Sequence, residues 1–119
     1  MEQKMKLYGI KNCNAVKKGC EFVENLSLKY EFKDIKKLDE STLKSWLAQK
    51  SLDELINTAG LSAKKLGLNK EKIAKFMENS KGKAELQKLI LQTPTLIKRP
   101  VIEHRGQIFV GKEYEDLKN

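Results

Sequence analysis

One residue near the start of the chain has the setting for covalent chemistry. It is Cys13, in Leu7-Tyr8-Gly9-Ile10-Lys11-Asn12-Cys13-Asn14-Ala15-Val16-Lys17-Lys18. A short apolar run leads into a glycine-containing turn. A polar Asn-Cys-Asn step follows, and then a stretch with helical periodicity. Cys13 therefore falls at a strand-to-helix junction, at or just before the helix N-terminus. Unpaired backbone N–H groups and the helix dipole favour an anion there. A thiol so placed shifts toward thiolate, the attacking form. Lys11, Lys17 and Lys18 add positive charge, so Lys11, Asn12, Asn14 and Lys17 are candidate substrate-binding residues. The competing reading is a cysteine that only packs at a turn, since free cysteines are commonly buried and inert.

The remaining chemistry-bearing residues offer less. Cys20 lies seven positions after Cys13, roughly 10 Å along a helix. That is too far for a disulfide unless the helix unwinds. Its place on an apolar stripe makes it a core residue. His104 is the one histidine, and with two cysteines it makes a poor zinc set, so no metal is expected. No Gly-rich phosphate loop or Ser-His-Asp set appears, and no bound cofactor is expected.

Around Cys13, Lys6–Ile10 reads as a strand. Ala15 to Leu26 reads as a helix whose stripe is Val16, Cys20, Val23 and Leu26, with Gly19 allowing close approach. Tyr30–Ile35 alternates apolar and charged residues and reads as a second strand. A βαβ order with a crossover helix implies two parallel strands. About 39–92 is all helical signal, with Asp39 and Ser41 as candidate caps, a short helix from Ser51, a break at Ala59-Gly60-Leu61 and a helix opened at Asn69 or Lys70. Ser80 or Gly82 then separates off a last helix. This block reads as a helical subdomain inserted into one sheet-containing domain spanning 1–119. Val101–His104 and Gln107–Val110 form a hairpin closed by Arg105-Gly106, and Lys112–Leu117 a short terminal helix. Trp46, Phe76 and the Leu/Ile set are most simply core.

At 119 residues the chain can bury a core without staples. It has no apolar run of membrane-spanning length, and Met1-Glu2-Gln3-Lys4-Met5-Lys6 is unlike a signal peptide. No membrane partner and a cytoplasmic location are the expectations, and two cysteines in a reducing compartment argue against a structural disulfide. The net charge of +8 is spread along the chain, with lysines mostly alternating with acids. Arginine, the preferred reader of base edges, occurs only at Arg99 and Arg105. No specific nucleic-acid partner is expected.

Two separated segments carry a family resemblance. Tyr8-Gly9-Ile10-Lys11-Asn12-Cys13 after the first strand, and Leu96-Ile97-Lys98-Arg99-Pro100-Val101-Ile102 before the hairpin, resemble the ArsC/Spx/YffB family, and within it the YffB type. The resemblance covers nearly the whole chain. It implies an α/β, thioredoxin-like fold (βαβ…ββα, mixed sheet) with an inserted helical subdomain. It also implies that Cys13 is the nucleophile, Arg99 its catalytic arginine and Pro100 a cis-proline beside the substrate. The implied activity is a thiol-dependent oxidoreductase with glutathione or another small thiol as co-substrate. The family also contains arsenate reductases, which take an oxyanion substrate, and Spx regulators, which bind RNA polymerase. Departures from the family bear on these alternatives. Val16 stands where Spx proteins carry a second cysteine. Asn57-Thr58-Ala59-Gly60 lacks the arginine of the YffB pattern, and Phe109-Val110-Gly111-Lys112 lacks a late arginine of arsenate reductases. Lys112 could replace that arginine only in part, because lysine lacks the bidentate fork.

Overall fold

The strand β1, Met5–Gly9, has buried residues on both faces, and four of its five residues are buried. Such a strand belongs in the middle of a sheet, where neither face meets water. In the computed structural model of the protein, which describes residues 4–118, it lies there. The sheet order is β2-β1-β3-β4. β2, Tyr30–Asp34, runs parallel to β1, with Met5 opposite Tyr30 and Gly9 opposite Asp34. β3, Val101–His104, runs antiparallel to β1 on its other side and pairs with β4, Gln107–Val110. Arg105 and Gly106 close that hairpin with φ of 51° and 77°. Two successive positive φ values give the turn twist that matches paired strands. The fold is α/β with a mixed four-stranded sheet, as in thioredoxin-like proteins.

The crossover between β1 and β2 is helix α1, Asn14–Asn25. Its buried stripe is Val16, Gly19 and Val23. These pack with Met5, Leu7, Ile102, Tyr114 and Leu117. Two glycines set how closely α1 approaches its neighbours. A Cβ on Gly9 would come 2.7 Å from both Val16 methyl carbons. A Cβ on Gly19 would come 2.7 Å from Cγ of Pro100. Cys20, expected as core, is half-buried at the edge of this cluster, where Tyr30 adjoins it. The Tyr30 hydroxyl donates to Glu24 at 2.6 Å. Burial first, and then Cys20 and Glu24, push the Tyr30 pKa up.

The chain divides into two compact units: 4–37 with 99–118, and 38–98. The second unit is helical. It holds α2 (Glu40–Leu47), α3 (Leu52–Leu55), α4 (Leu61–Lys65), α5 (Lys70–Phe76) and α6 (Ser80–Gln92). Side chains cap several of these short helices. Asp39 accepts from the Thr42 N–H at 2.7 Å, Asn69 from Lys72 at 2.9 Å and Asn79 from Gly82 at 2.8 Å. Glu54 accepts from the Ser51 N–H at 3.0 Å, and that bond, helped by the Ser51 hydroxyl, lowers the Glu54 pKa. Trp46, Leu43, Leu55, Leu86 and Ile90 are fully buried at its centre. The block is tied at its base, where Ile56 bridges Ile97 and the Lys98 N–H donates to Leu55 at 2.8 Å.

The structure departs from the sequence reading at several further places. Ser80 and Gly82 lie inside the first turn of α6, not before it, because Asn79 takes the cap. Gly82 is required there, since a Cβ would overlap the Phe76 carbonyl oxygen. Phe32, one of the apolar positions that alternate along the second strand, is exposed, and β2 is an edge strand. The C-terminal helix is a 3-10 helix over Gly111–Asp116. Met1, Glu2 and Gln3, part of the segment read as unlike a signal peptide, fall outside the described residues. No helix among the described residues is long and apolar enough to cross a membrane.

The Gly19–Pro100 contact has a measurable consequence. Replacing Gly19 with Ala sets a methyl against a rigid ring, and overpacking of this kind costs about 1–3 kcal/mol. Urea unfolding of Gly19→Ala should show a lower midpoint than wild type. Gly106→Ala, which meets open space but keeps a positive φ, should cost less, on the order of 1 kcal/mol. Equal midpoints for wild type and Gly19→Ala would show that α1 does not rest on Pro100.

Candidate active site

Sheet register brings the two ends of the sequence motif together. Tyr8 near the end of β1 lies opposite Val101 at the start of β3. Because the pairing is antiparallel, the chain leaving β1 toward Cys13 meets the chain entering β3 from Arg99 and Pro100. The Arg99-Pro100 peptide bond is cis. Pro100 is buried, and its carbonyl accepts from the Gly111 N–H at 2.9 Å. A proline at the mouth of a strand removes no ladder donor, and its ring is the surface on which Gly19 sits.

The turn between β1 and α1 is completed by Asn12 at φ 65°. Asparagine tolerates this left-handed conformation better than most residues. The next residue, Cys13, is extended at φ −102° and occupies the N-cap of α1. Its carbonyl takes the first helical hydrogen bond, from Lys17 at 2.9 Å. Its side chain makes no short capping bond of the kind a serine or aspartate would make. The larger sulfur atom nonetheless faces the open N–H groups of the first turn.

Opposing influences act on the Cys13 thiol. Partial burial is the largest and raises its pKa. The Val16 N–H, the hydrogen bond and charge of the Arg99 guanidinium, and the Ala15 N–H all lower it. Together they outweigh burial, and the thiol ionises more readily than a free cysteine. Desolvation and stabilisation thus act on the same atom. The sulfur is screened enough for Arg99 to act strongly and stays half-accessible to a reactant.

The other candidates divide plainly. Cys13, Arg99 and Pro100 come together, with Asn12 as the turn that aims Cys13. Lys11, Asn14 and Lys17 are exposed around the junction, and solvent and salt screen such charges. Cys20 is a free thiol one face along α1, as is Cys13 at its start. Sequence reasoning missed the close fit of Gly9 against Val16, which seats the first turn of α1 on the strand end. A glycine closing an apolar run just before the Cys13 loop was the available signal. Among the described residues no group of His, Cys, Asp and Glu could hold a metal ion.

The chain has relatives of known family. The sequence model of the ArsC family matches residues 8–119. This chain belongs to the ArsC family. An uncharacterised protein of Haemophilus influenzae is 30% identical over 114 residues, covering 92% of this chain and 94% of that one. Among solved structures, a YffB protein superposes with a TM-score of 0.76 at 30% identity, covering 95% of each chain. An arsenate reductase related protein from Brucella melitensis gives 0.68 at 32% identity, over 92% of this chain and 87% of that one. A possible arsenate reductase from Streptococcus mutans gives 0.74 at 29%, over 94% and 95%. The chain is thus an arsenate reductase-like member of its family, with the thioredoxin-like fold.

Two outcomes are expected from the balance at Cys13. Arg99→Ala should raise the Cys13 pKa, and Arg99→Lys should recover part of the loss because charge returns without the fork. Thiolate absorbance against pH measures this, and three superimposable curves would place Arg99 away from the sulfur. Stability should follow the same titration. A group whose folded pKa is depressed contributes stability that is present above its unfolded pKa and lost as pH falls through the folded one. The unfolding free energy of wild type relative to Cys13→Ser should therefore rise with pH up to about 8.5, the ordinary cysteine value, and then level off.

Proposed function

We propose that this protein is a thiol-dependent oxidoreductase of the ArsC/YffB type, with Cys13 as its single nucleophile. The observation that carries the reading is the Arg99 guanidinium in hydrogen-bonding contact with the sulfur at the N-cap of α1. A depressed thiol pKa matters because only the thiolate attacks, and a free cysteine is a few per cent thiolate at pH 7. In the reaction the Cys13 thiolate attacks one sulfur of a disulfide substrate. A new S–S bond forms as the old one breaks, and the other sulfur departs in line as a thiolate. A small thiol, for which glutathione is the candidate, then attacks the mixed disulfide and releases Cys13 as thiolate. The product is a mixed disulfide of the small thiol with one half of the substrate. In a second cycle Cys13 attacks its small-thiol sulfur, the remaining substrate half leaves as thiolate, and a second small thiol releases Cys13. Two small thiols are thus oxidised to one disulfide, the substrate disulfide is reduced, and no second protein cysteine is needed. Cys20 lies within α1, seven residues on, with a helical backbone between the two thiols.

Arg99 would serve first the thiolate and then an anionic part of the substrate. That double use also supports arsenate as a second substrate to assay, given the likeness to a possible arsenate reductase. One positioned arginine is a thin anion site, so disulfide exchange is the main reading. A regulator of the Spx kind would instead retain RNA polymerase equally with wild type and Cys13→Ser.

Oxidised glutathione should add one glutathionyl group to wild type and to Cys20→Ser, and none to Cys13→Ser, by intact-protein mass spectrometry. With reduced glutathione in excess, wild type should turn over a small disulfide, and Cys13→Ser should lose at least 100-fold in rate, the scale on which single catalytic groups act. A major internal Cys13–Cys20 disulfide, or equal rates for the two proteins, would overturn the proposal.

A further inference from the structure

The helical unit has a cavity of its own, of about 750 Å³, whose lining includes Asp53, Lys70, Ile73, Met77, Glu78 and Lys98. This is within the size range of small-molecule sites. Every lining residue belongs to 38–98. One wall is a single face of α5 and its exit: positions 70, 73, 74, 77 and 78 follow helical i, i+3, i+4, i+7, i+8 spacing. That face carries a lysine at one end, a glutamate at the other, and Ile73, Ala74 and Met77 between them. The facing wall is made where chain segments 55–57 and 96–98 are hydrogen-bonded, the Asn57 N–H donating to Leu96 and the Lys98 N–H to Leu55, both at 2.8 Å.

Helix stability does not explain how these charges are arranged. A cation suits the C-terminal end of a helix and an anion the N-terminal end. On the cavity face the order is reversed, with Lys70 first in α5 and Glu78 just past its end. The two α5 charges off the cavity face have the favourable order: Glu71 in the first turn and Lys75 in the last. Lys70, Glu78, Asp53 and Lys98 form no ion pair with one another. The cavity thus keeps opposite charges at its two ends, separated by an apolar floor.

We propose that this cavity binds a short apolar peptide with free termini, its carboxylate on Lys70 and its ammonium on Glu78. Eight residues of α5 and its exit separate those two side chains, roughly 12 Å at 1.5 Å per residue. An extended tripeptide spans about 10–11 Å. Ala74 and Met77 lie open between the two ends, with buried Ile73 beneath them, and apolar side chains of the peptide pack there. Asp53 and Lys98 on the facing wall repeat the two charges.

The test uses trileucine, its N-acetyl form and its C-terminal amide, titrated into the full-length protein with amide resonances as the readout. Trileucine should shift residues 53, 56–58, 70–78 and 98, and either blocked form should bind at least tenfold more weakly. Lys70→Glu and Glu78→Lys should each weaken trileucine at least tenfold. The double exchange K70E/E78K should restore binding, because a zwitterion can turn end for end. It should also raise the melting temperature, since the charges then follow the helix dipole. No shifts at millimolar trileucine, equal binding of the blocked forms, or unaltered binding by the single variants would overturn the assignment. Glutathionylation of Cys13 in the same samples is a separate readout. Its loss with peptide binding intact would fall on the proposed oxidoreductase activity alone.

Discussion

The antiparallel pairing of β1 with β3 is the constraint on which the rest of the sheet unit depends. Tyr8 opposite Val101 brings Cys13 and Arg99, 86 residues apart in sequence, to one end of the sheet. Closing so long a loop costs conformational entropy, though that cost grows only logarithmically with length. Burial of the two inner strands offsets it: Leu7 of β1 and Val101 and Ile102 of β3 are fully removed from water. A fully buried side chain of this size contributes roughly 1.5–3 kcal/mol. The site's geometry is therefore held by the core and not by its own polar contacts.

On that base, two glycines and one proline set the position of α1. Gly9 lets Val16 descend onto the end of β1, and Gly19 lets the helix rest on the Pro100 ring. The same proline holds Arg99 at the mouth of β3. Small residues appear here because the helix start must come close to both strands at once. A Cβ at either glycine would come 2.7 Å from Val16 or from the Pro100 ring, so the contact could not be kept unchanged.

The helical unit is organised by different means. Its helices are short, and isolated helices of such length are marginal in water. Asp39, Asn69 and Asn79 supply local caps, each contributing about 1 kcal/mol. The Trp46-centred core supplies the cooperativity. Because caps and core hold α5, the charges on its cavity face are free to oppose its dipole. They are a small local cost within a helix whose other face already satisfies it.

Much of the sheet unit was legible in the sequence, because its signals are local. Apolar alternation, the Gly9 turn, the helical stripe and the Arg105-Gly106 turn each specify their element within a few residues. Cys13 as a helix-start thiol was legible for the same reason: its activation by the Ala15 and Val16 N–H groups follows from backbone position alone. What only the tertiary structure decided is whatever depends on distant partners. The meeting of Arg99 with Cys13 is a matter of register between strands, and no local pattern encodes register. That β2, which carries the exposed Phe32, is an edge is a property of strand order. Gly82 looked like a separator because its partner, the Phe76 carbonyl, becomes visible only once α6 folds back past α5. The cavity face of α5 carries an ordinary amphipathic pattern in sequence. It becomes a polarised wall only because segments 55–57 and 96–98 close over it.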